Sequence, residues 1–276
     1  MLVSAAMIVK NESRCILRCL ESIKNAVDEI VIVDTGSSDN TVQLIEEYRK
    51  DKKNIRLYFF DWKDDFAAAR NFAISKTRGK WKFSIDADEF LHPDDVTKVR
   101  EACKVADFYN LHNIVADIEL LNIKGEEVFD RVTEGVLRIF KGVFYYEGKI
   151  HEQLTNDEMV KGVRVKMPIR LFHDGYDSEV VNTIRKALRN IKLLEAVIQS
   201  EPENYMNYIY FSQTSMIAGN LDMALNSINI AEKLYFQKNE IDPTAENFLN
   251  RTKENILNNI LHIAEVDLRI EQNTTN

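Results

Sequence analysis

Residues 83–90 read Phe-Ser-Ile-Asp-Ala-Asp-Glu-Phe, and the pair Asp86 and Asp88 is the strongest chemical signal in the chain. An apolar, aromatic run leads straight into two carboxylates one residue apart, so a strand delivers hard oxygen ligands to the rim of a sheet. On an extended chain, side chains two apart point to the same face. Both carboxylates can then flank one divalent cation that also needs phosphate oxygens, and this ligand type does not separate Mg2+ from Mn2+. Such a cation neutralises a diphosphate and takes up charge as it leaves. The competing reading is a solvated acidic turn.

Other residues form a candidate ligand crevice. Asp34 ends the apolar run Ile30-Val31-Ile32-Val33. In a parallel sheet that end faces the crevice, where a carboxylate accepts from a base N–H or a sugar hydroxyl, or else caps the following turn. Arg70 and Asn71 follow Phe66-Ala67-Ala68-Ala69. The small residues permit close backbone packing, and Arg70 can fork onto phosphate or onto a neighbouring carboxylate. Lys10, Asn11, Glu12 and Arg14 occupy the first strand-to-helix transition, which is either a nucleotide-facing loop or plain surface. Glu152, after His151, can take a proton from an acceptor nucleophile. His173 precedes Asp174-Gly175-Tyr176, a setting that suits a closing loop offering imidazole to metal or diphosphate. His92, His112 and His262 have no comparable surroundings.

The elements that must position these groups alternate. Leu2 to Val9 reads as a strand, and Asn11 or Ser13 is expected to cap a helix with the stripe Ile16, Cys19, Leu20 and Ile23. The run ending at Asp34 is a second strand. Thr35 to Asp39 turns the chain into a helix with Val42, Leu44, Ile45 and Tyr48 inward. Ile55 to Phe60 and Trp81 to Ile85 are further strands, with a helix at Phe66 to Ile74 between them. This alternation implies right-handed βαβ crossovers and a largely parallel sheet. Asp107 to Leu121, Val136 to Phe140, Phe144 to Ile150 and Val163 to Phe172 add antiparallel or mixed sheet. After about Asp177 the period becomes helical. The stripe Val180, Ile184, Ala187, Leu188, Ile191, Leu194 and Ile198 is followed by a hairpin broken at Gly219-Asn220, then by a helical pattern over residues 244–270. The fold class expected is α/β with a mostly parallel central sheet (residues 1–176), packed directly against an all-α, tetratricopeptide-like domain (residues 177–276).

Composition sets outer bounds. With 276 residues, 45% hydrophobic and 29% charged, the chain can bury a sizeable core. A formal charge of -8 argues against a nucleic-acid binder. Cys15, Cys19 and Cys103 make no disulfide framework, so a reducing cytoplasmic compartment is expected. No segment approaches ~18 uninterrupted apolar residues, which argues against a transmembrane span while allowing peripheral membrane contact.

The ordered set MIVKNE at 7–12, VIVDTGSSDNT at 31–41, DFAAARN at 65–71 and SIDADEF at 84–90 resembles family 2 glycosyltransferases with the GT-A fold. GKIHEQL at 148–154 and RLFHDGY at 170–176 extend the likeness over about the first 176 residues. The helical tail resembles the extensions of one bacterial subset, including enzymes that glycosylate peptides. The resemblance implies a nucleotide-diphosphate sugar donor, commonly a UDP-sugar, and inversion at the anomeric carbon. Asp34 matches the nucleoside-contacting acid. Asp86 and Asp88 match the DxD element, Asp88 as direct metal ligand and Asp86 as ribose or metal-water contact. Glu12 and Arg70 fall on donor-side motifs, Glu152 is the catalytic-base candidate, and His173 resembles a donor-closing or metal-site histidine. The chain lacks the QxxRW-like element and membrane spans of processive synthases, so a single transfer to a peptide, protein or cell-surface glycan is expected. The tail allows a homodimer. A nucleotidyltransferase acting on a sugar phosphate, and a non-catalytic nucleotide-sugar sensor, are the competing classes.

Overall fold

The structure, a computed structural model, describes residues 1–156, 162–177, 182–238 and 242–274, with side chains up to residue 262. The chain divides into two compact units, Met1–Val181 and Asn182–Asn276. No described helix is long and apolar enough to cross a membrane.

The first unit opens with β1 (Val3–Val9), α1 (Ile16–Ile23), β2 (Glu29–Asp34), α2 (Thr41–Arg49), β3 (Ile55–Phe59), α3 (Phe66–Ser75) and β4 (Trp81–Ser84). β1 pairs in parallel with both β2 and β4, and β2 with β3. β1 and β2 are buried along nearly their whole length, as strands covered on both faces must be, and they therefore read as continuous apolar runs. α1 buries the four expected residues against them. Its start differs from expectation. Cys15 is the N-cap, with no side-chain cap bond, and neither Asn11 nor Ser13 caps it. Instead Asn11, in the left-handed region at φ 58°, uses its side-chain oxygen to accept from Ser38 N (2.7 Å) and Asp39 N (3.3 Å), pinning the loop after β2.

Beyond β4 come β5 (Glu89–Leu91), a 3-10 turn at Pro93–Asp95, α4 (Val96–Phe108), β6 (Ile114–Lys124), β7 (Glu127–Val132), β8 (Leu137–Lys141), β9 (Tyr145–Glu147), β10 (Gln153–Thr155) and β11 (Val163–His173). Among the described residues the main sheet runs β3-β2-β1-β4-β8-β6-β11-β5, with β7 on β6, and β9 and β10 form a separate ribbon. β8 is antiparallel to both β4 and β6. β11 is parallel to β6 but antiparallel to β5. The expected strand from Asp107 to Leu121 begins only at Ile114, because Asp107 closes α4. The register of β11 on β6 shifts between Lys166 and Arg170, around Pro168, which has no N–H to give the ladder. The core threads β1, β2, β4, β6, β8 and β11, with Trp81, Phe83, Ile139 and Ile169 fully buried.

The second unit contains α5 (Thr183–Ser200), α6 (Tyr205–Ile217), α7 (Leu221–Gln237) and α8 (Pro243–Thr274). Asn182, Asn204 and Asn220 cap the first three, each accepting from a backbone N–H of the first turn. Gly219, at φ 80°, supplies the left-handed residue that ends α6. Ile209, Ala224, Ile228, Ala231, Leu249 and Ile256 form the core of this unit. The stripe expected on α5 is rotated: Ala187, Leu193, Leu194 and Val197 are buried, whereas Ile184 and Leu188 are more than half exposed. Val180 lies outside the described residues.

Candidate active site

The site grows from the end of β4. Past Ser84 the chain leaves the sheet, and Asp86 and Asp88 diverge instead of flanking one point. Asp86 turns to two guanidiniums, Arg70 at 2.8 Å and Arg138 at 3.1 Å. Burial alone would favour its neutral acid, but Arg70 and Arg138 hold its pKa below the usual carboxylate range. Its backbone N–H donates to Glu89 (3.0 Å), whose buried carboxylate also pairs with Arg138. Burial outweighs Arg138 there and pushes the Glu89 pKa up.

Asp88 turns the other way, towards His173, with Oδ2 3.7 Å from Nε2. Sheet register makes this meeting: His173, the last residue of β11, stands opposite Glu89 of β5 and Asn122 of β6. Asn122 donates from its amide nitrogen to Asp130 (2.8 Å), so its oxygen accepts from Nδ1 of His173 (2.8 Å). That bond puts the hydrogen on Nδ1 and leaves the Nε2 lone pair of the neutral ring facing Asp88. Burial opposes a charged ring, but Asp88, with Glu89 and Asp86 beyond it, raises the pKa of His173. Gly175 closes the cradle. A Cβ there would fall 2.3 Å from His173 Nε2 and 2.4 Å from Asp88 Oδ2. Asp174 beside it is clamped by Arg14 (2.6 and 2.9 Å) and Arg18 (2.8 Å) of the α1 region.

Arg70 joins the early and late parts of the unit. Asp65 caps α3 by accepting from Ala68 N (2.8 Å). One turn on, Asn71 exchanges two hydrogen bonds with the backbone of Tyr146 (2.7 and 2.8 Å), and Phe66 N donates to Lys149 O. Stitched in this way, α3 carries Arg70 to Glu152, with Nε donating to Oε1 at 2.5 Å. His151 is exposed and left-handed, at φ 52°. A cavity of about 200 Å3 lies alongside, lined by Arg70, Arg138, Tyr146, Glu152, Leu120 and Leu154 among others.

Asp34 is buried at the end of β2. Its Oδ1 accepts from the backbone N–H groups of Gly36 (2.9 Å) and Ser37 (3.0 Å), so it does shape the turn. Its Oδ2 is buried with no hydrogen-bond partner, a costly state for a carboxylate oxygen unless a donor arrives. Glu12 is half-buried. Its backbone N–H donates to Thr41 Oγ1 (2.7 Å), and its carboxylate accepts from the Cys15 thiol (3.2 Å).

The structure thus brings Asp86, Arg70 and Glu152 into direct contact, and Asp88 against His173. It places Asp34 at the end of β2 and Glu12 in the β1–α1 loop. Asp86 is engaged by arginines and does not share a point with Asp88 and His173. Among the described residues no three His, Cys, Asp or Glu side chains converge on one metal position. Arg138 was missed, since Leu-Arg-Ile-Phe reads only as strand filling; the lone charge among apolar neighbours was its signal.

A curled, mixed sheet with an acidic strand end at its rim, followed in the chain by a helical unit, defines a GT-A-like α/β fold. Staphylococcus aureus TarS shares this fold, with a TM-score of 0.50 over 94% of this chain and 54% of TarS at 13% identity. The sequence adds a likeness of its own. Residues 4–122 match the family model "Glycosyl transferase family 2". The chain is 28% identical over 246 residues to the SPbeta prophage-derived glycosyltransferase SunS of Bacillus subtilis, covering 87% of this chain and 56% of the relative. It is 29% identical over 163 residues to the lipopolysaccharide core biosynthesis glycosyltransferase LpsC of Rhizobium meliloti, 58% of this chain and 60% of that one. The chain therefore spans somewhat more than half the length of these curated relatives.

Proposed function

We propose that this chain transfers a glycosyl group from a nucleotide-diphosphate sugar, a UDP-sugar, to a peptide, protein or cell-surface glycan nucleophile, with inversion at the anomeric carbon. The observation that carries this reading is the Asp86–Arg70–Glu152 chain of contacts. It ties the acidic strand end to a carboxylate from a stretch of sequence 66 residues later, beside a cavity. The unpartnered Oδ2 of Asp34 is the acceptor for a base N–H or a ribose hydroxyl, and the Asn11-pinned loop keeps it in place.

The residues fit a divalent cation. Asp88 offers a carboxylate oxygen, His173 a ring nitrogen whose tautomer Asn122 fixes, and Gly175 keeps a side chain out of the space between them. Two protein ligands leave the remaining positions to phosphate and water, the habit of Mg2+ and Mn2+ at nucleotide sites. When bound, the cation neutralises the charge that grows on the departing nucleotide diphosphate. Asp86 is the ribose or metal-water contact, its position set by arginines. Arg70 fixes one oxygen of Glu152, and the other takes the proton of the acceptor hydroxyl or thiol. The nucleophile then attacks C1 opposite the leaving group. Arg14 and Arg18 hold Asp174, and with it the segment carrying His173 and Gly175. The helical unit supplies surface for a peptide acceptor or for a second copy. Three free, buried cysteines accord with a reducing, cytoplasmic setting.

The test is a panel of nucleotide sugars with Mn2+ or Mg2+, following nucleoside diphosphate release, then mass analysis of glycosylated acceptor. Asp88→Asn is expected to fold normally and lose at least about 100-fold in turnover. Wild-type turnover by that variant, or release of pyrophosphate instead of nucleoside diphosphate, overturns the reading.

A further inference from the structure

Arg138 neither binds the donor nor moves a proton in the reading just given, yet it occupies the centre of the site's polar network. Five side chains from four separate stretches alternate in charge: Glu89, Arg138, Asp86, Arg70 and Glu152. Arg138 stands on β8, the strand between β4 and β6. Phe83 pairs with Ile139, so Arg138 falls one step further along, level with the chain as it leaves β4. Ile139 points into the main core, while Phe140 packs with Ala67 and Tyr146 on the other face. Arg138 shares the face of Phe140, as residues two apart on a strand do. It therefore projects from a rigid, doubly paired strand towards α3 and β9, where Arg70 sits.

We propose that Arg138 is a positioning residue of the transfer reaction. It holds the Asp86 carboxylate against Arg70, and through Arg70 it fixes where Glu152 presents its free oxygen. The geometry supports a brace. Arg70 alone is shared between Asp86 and Glu152, at 2.8 and 2.5 Å. Asp86 is the least buried member of the pairs at 27% side-chain exposure, so without Arg138 it is free to turn outward and draw Arg70 with it. Arg138 is anchored in turn by Glu89, which is 1% exposed and receives the Asp86 backbone N–H. Both carboxylates meet the one Nη2, whose hydrogens are fixed in the guanidinium plane, whereas a lysine ammonium turns freely on its stem. Displacement of a reacting group by about 1 Å costs roughly 100-fold in rate, so a brace of this kind acts on turnover.

This inference rests on the glycosyl-transfer reading, and its test separates the two. The full-length chain is assayed for donor turnover as wild type, Arg138→Gln, Glu89→Gln, the double variant, and Arg138→Lys. Removing Arg138 alone strands a buried acid, and the double variant removes both members of that pair. The expected result is a kcat at least about 30-fold lower in both Arg138→Gln chains, even where the double variant regains the wild-type urea midpoint. Glu89→Gln keeps an oxygen to accept from Arg138 but loosens that anchor, so its kcat should fall less than that of either Arg138→Gln chain. Were Arg138 merely a structural ion pair, the double variant would recover both its urea midpoint and its kcat; that recovery overturns the proposal. Arg138→Lys keeps the charge without the fixed plane and reach of the guanidinium, and serves if the glutamine chains do not fold. It should fold and lose about 10-fold in kcat, and a wild-type kcat there overturns the proposal as well. A wild-type chain that turns over no donor overturns the underlying reading, and this inference with it.

Discussion

Gly175→Ala adds one carbon to the tightest part of the candidate site. The new Cβ would sit 2.3 Å from Nε2 and 3.0 Å from Cε1 of His173, and 2.4 Å from Oδ2 of Asp88. Non-bonded atoms of this size settle at roughly 3.5 Å, so the shortfall is about 1 Å on each side. His173 has little room to retreat. Asn122 holds Nδ1 at 2.8 Å, and Tyr176 meets the ring edge-on at 4.8 Å between centroids. Lifting the segment instead would strain the Asp174 clamp to Arg14 and Arg18. Whichever side yields, the Asp88–His173 pair opens. A misplacement of about 1 Å predicts a loss of roughly 100-fold in turnover, against a stability cost of only about 1–3 kcal/mol for one inserted methyl. The assay compares kcat/KM for donor hydrolysis and Mn2+ binding by calorimetry, with a urea unfolding curve as control. A Gly175→Ala chain that binds Mn2+ and turns over donor within about 3-fold of wild type would refute the assignment of these residues to the metal position.

Asp34→Asn keeps an oxygen for the Gly36 and Ser37 N–H groups but presents an NH2 where the unpartnered Oδ2 now lies. Losing that acceptor is worth about 1–3 kcal/mol. Donor KM should rise between about 5- and 150-fold with kcat little changed, and an unchanged KM in steady-state assays removes Asp34 from the nucleoside site. Gly79→Ala drives a Cβ to within 2.6 Å of the Ser4 backbone nitrogen, which no flexible side chain can relieve. Urea unfolding should show a loss of at least about 2 kcal/mol, and unaltered stability refutes the close approach. Asp95 is fully buried and accepts three bonds from Arg170, at 2.8 to 3.0 Å, with Lys98 alongside. Burial favours its acid form, but Arg170 and Lys98 hold its pKa far below the ordinary value near 4. A pKa depressed in the folded state gives stability that is complete above the unfolded value and is lost as pH falls towards the folded one. Asp95→Asn should therefore be clearly weaker than wild type at pH 7, and the gap should narrow below about pH 4. A gap that stays constant between pH 7 and pH 3 contradicts the coupling.

The parallel half of the sheet was largely legible because its strands are buried on both faces and so carry uninterrupted apolar runs, as in Ile30 to Val33. α3 was legible through its Ala-rich start at Ala67 to Ala69. α4 was not, since Val99 and Cys103 are its only buried residues among thirteen, too few to mark a helical period. The short β5, β7 and β10 carry their meaning in pairing partners that local sequence does not name. The same limit applied in the site. Asp86 and Asp88 stood out by type and spacing, but their divergence depends on Arg138 and on a β11 register set by residues some fifty positions away. The exposed side of α5 was misread because Ile184 and Leu188 are apolar yet face solvent, a common occurrence on protein surfaces.

The seam at β8, where pairing changes from parallel to antiparallel, has a consequence of its own. The matched family segment ends at residue 122, on the early side of Arg138, Glu152 and His173. On the reading proposed here, the nucleoside contact and Asp88 lie on one flank of that boundary, while Glu152, which activates the incoming nucleophile, and His173, which completes the metal position, lie on the other, bolted together by Arg70 and Arg138. Change around Glu152 can then retune what receives the sugar while Asp34, Asp88 and His173 keep the donor.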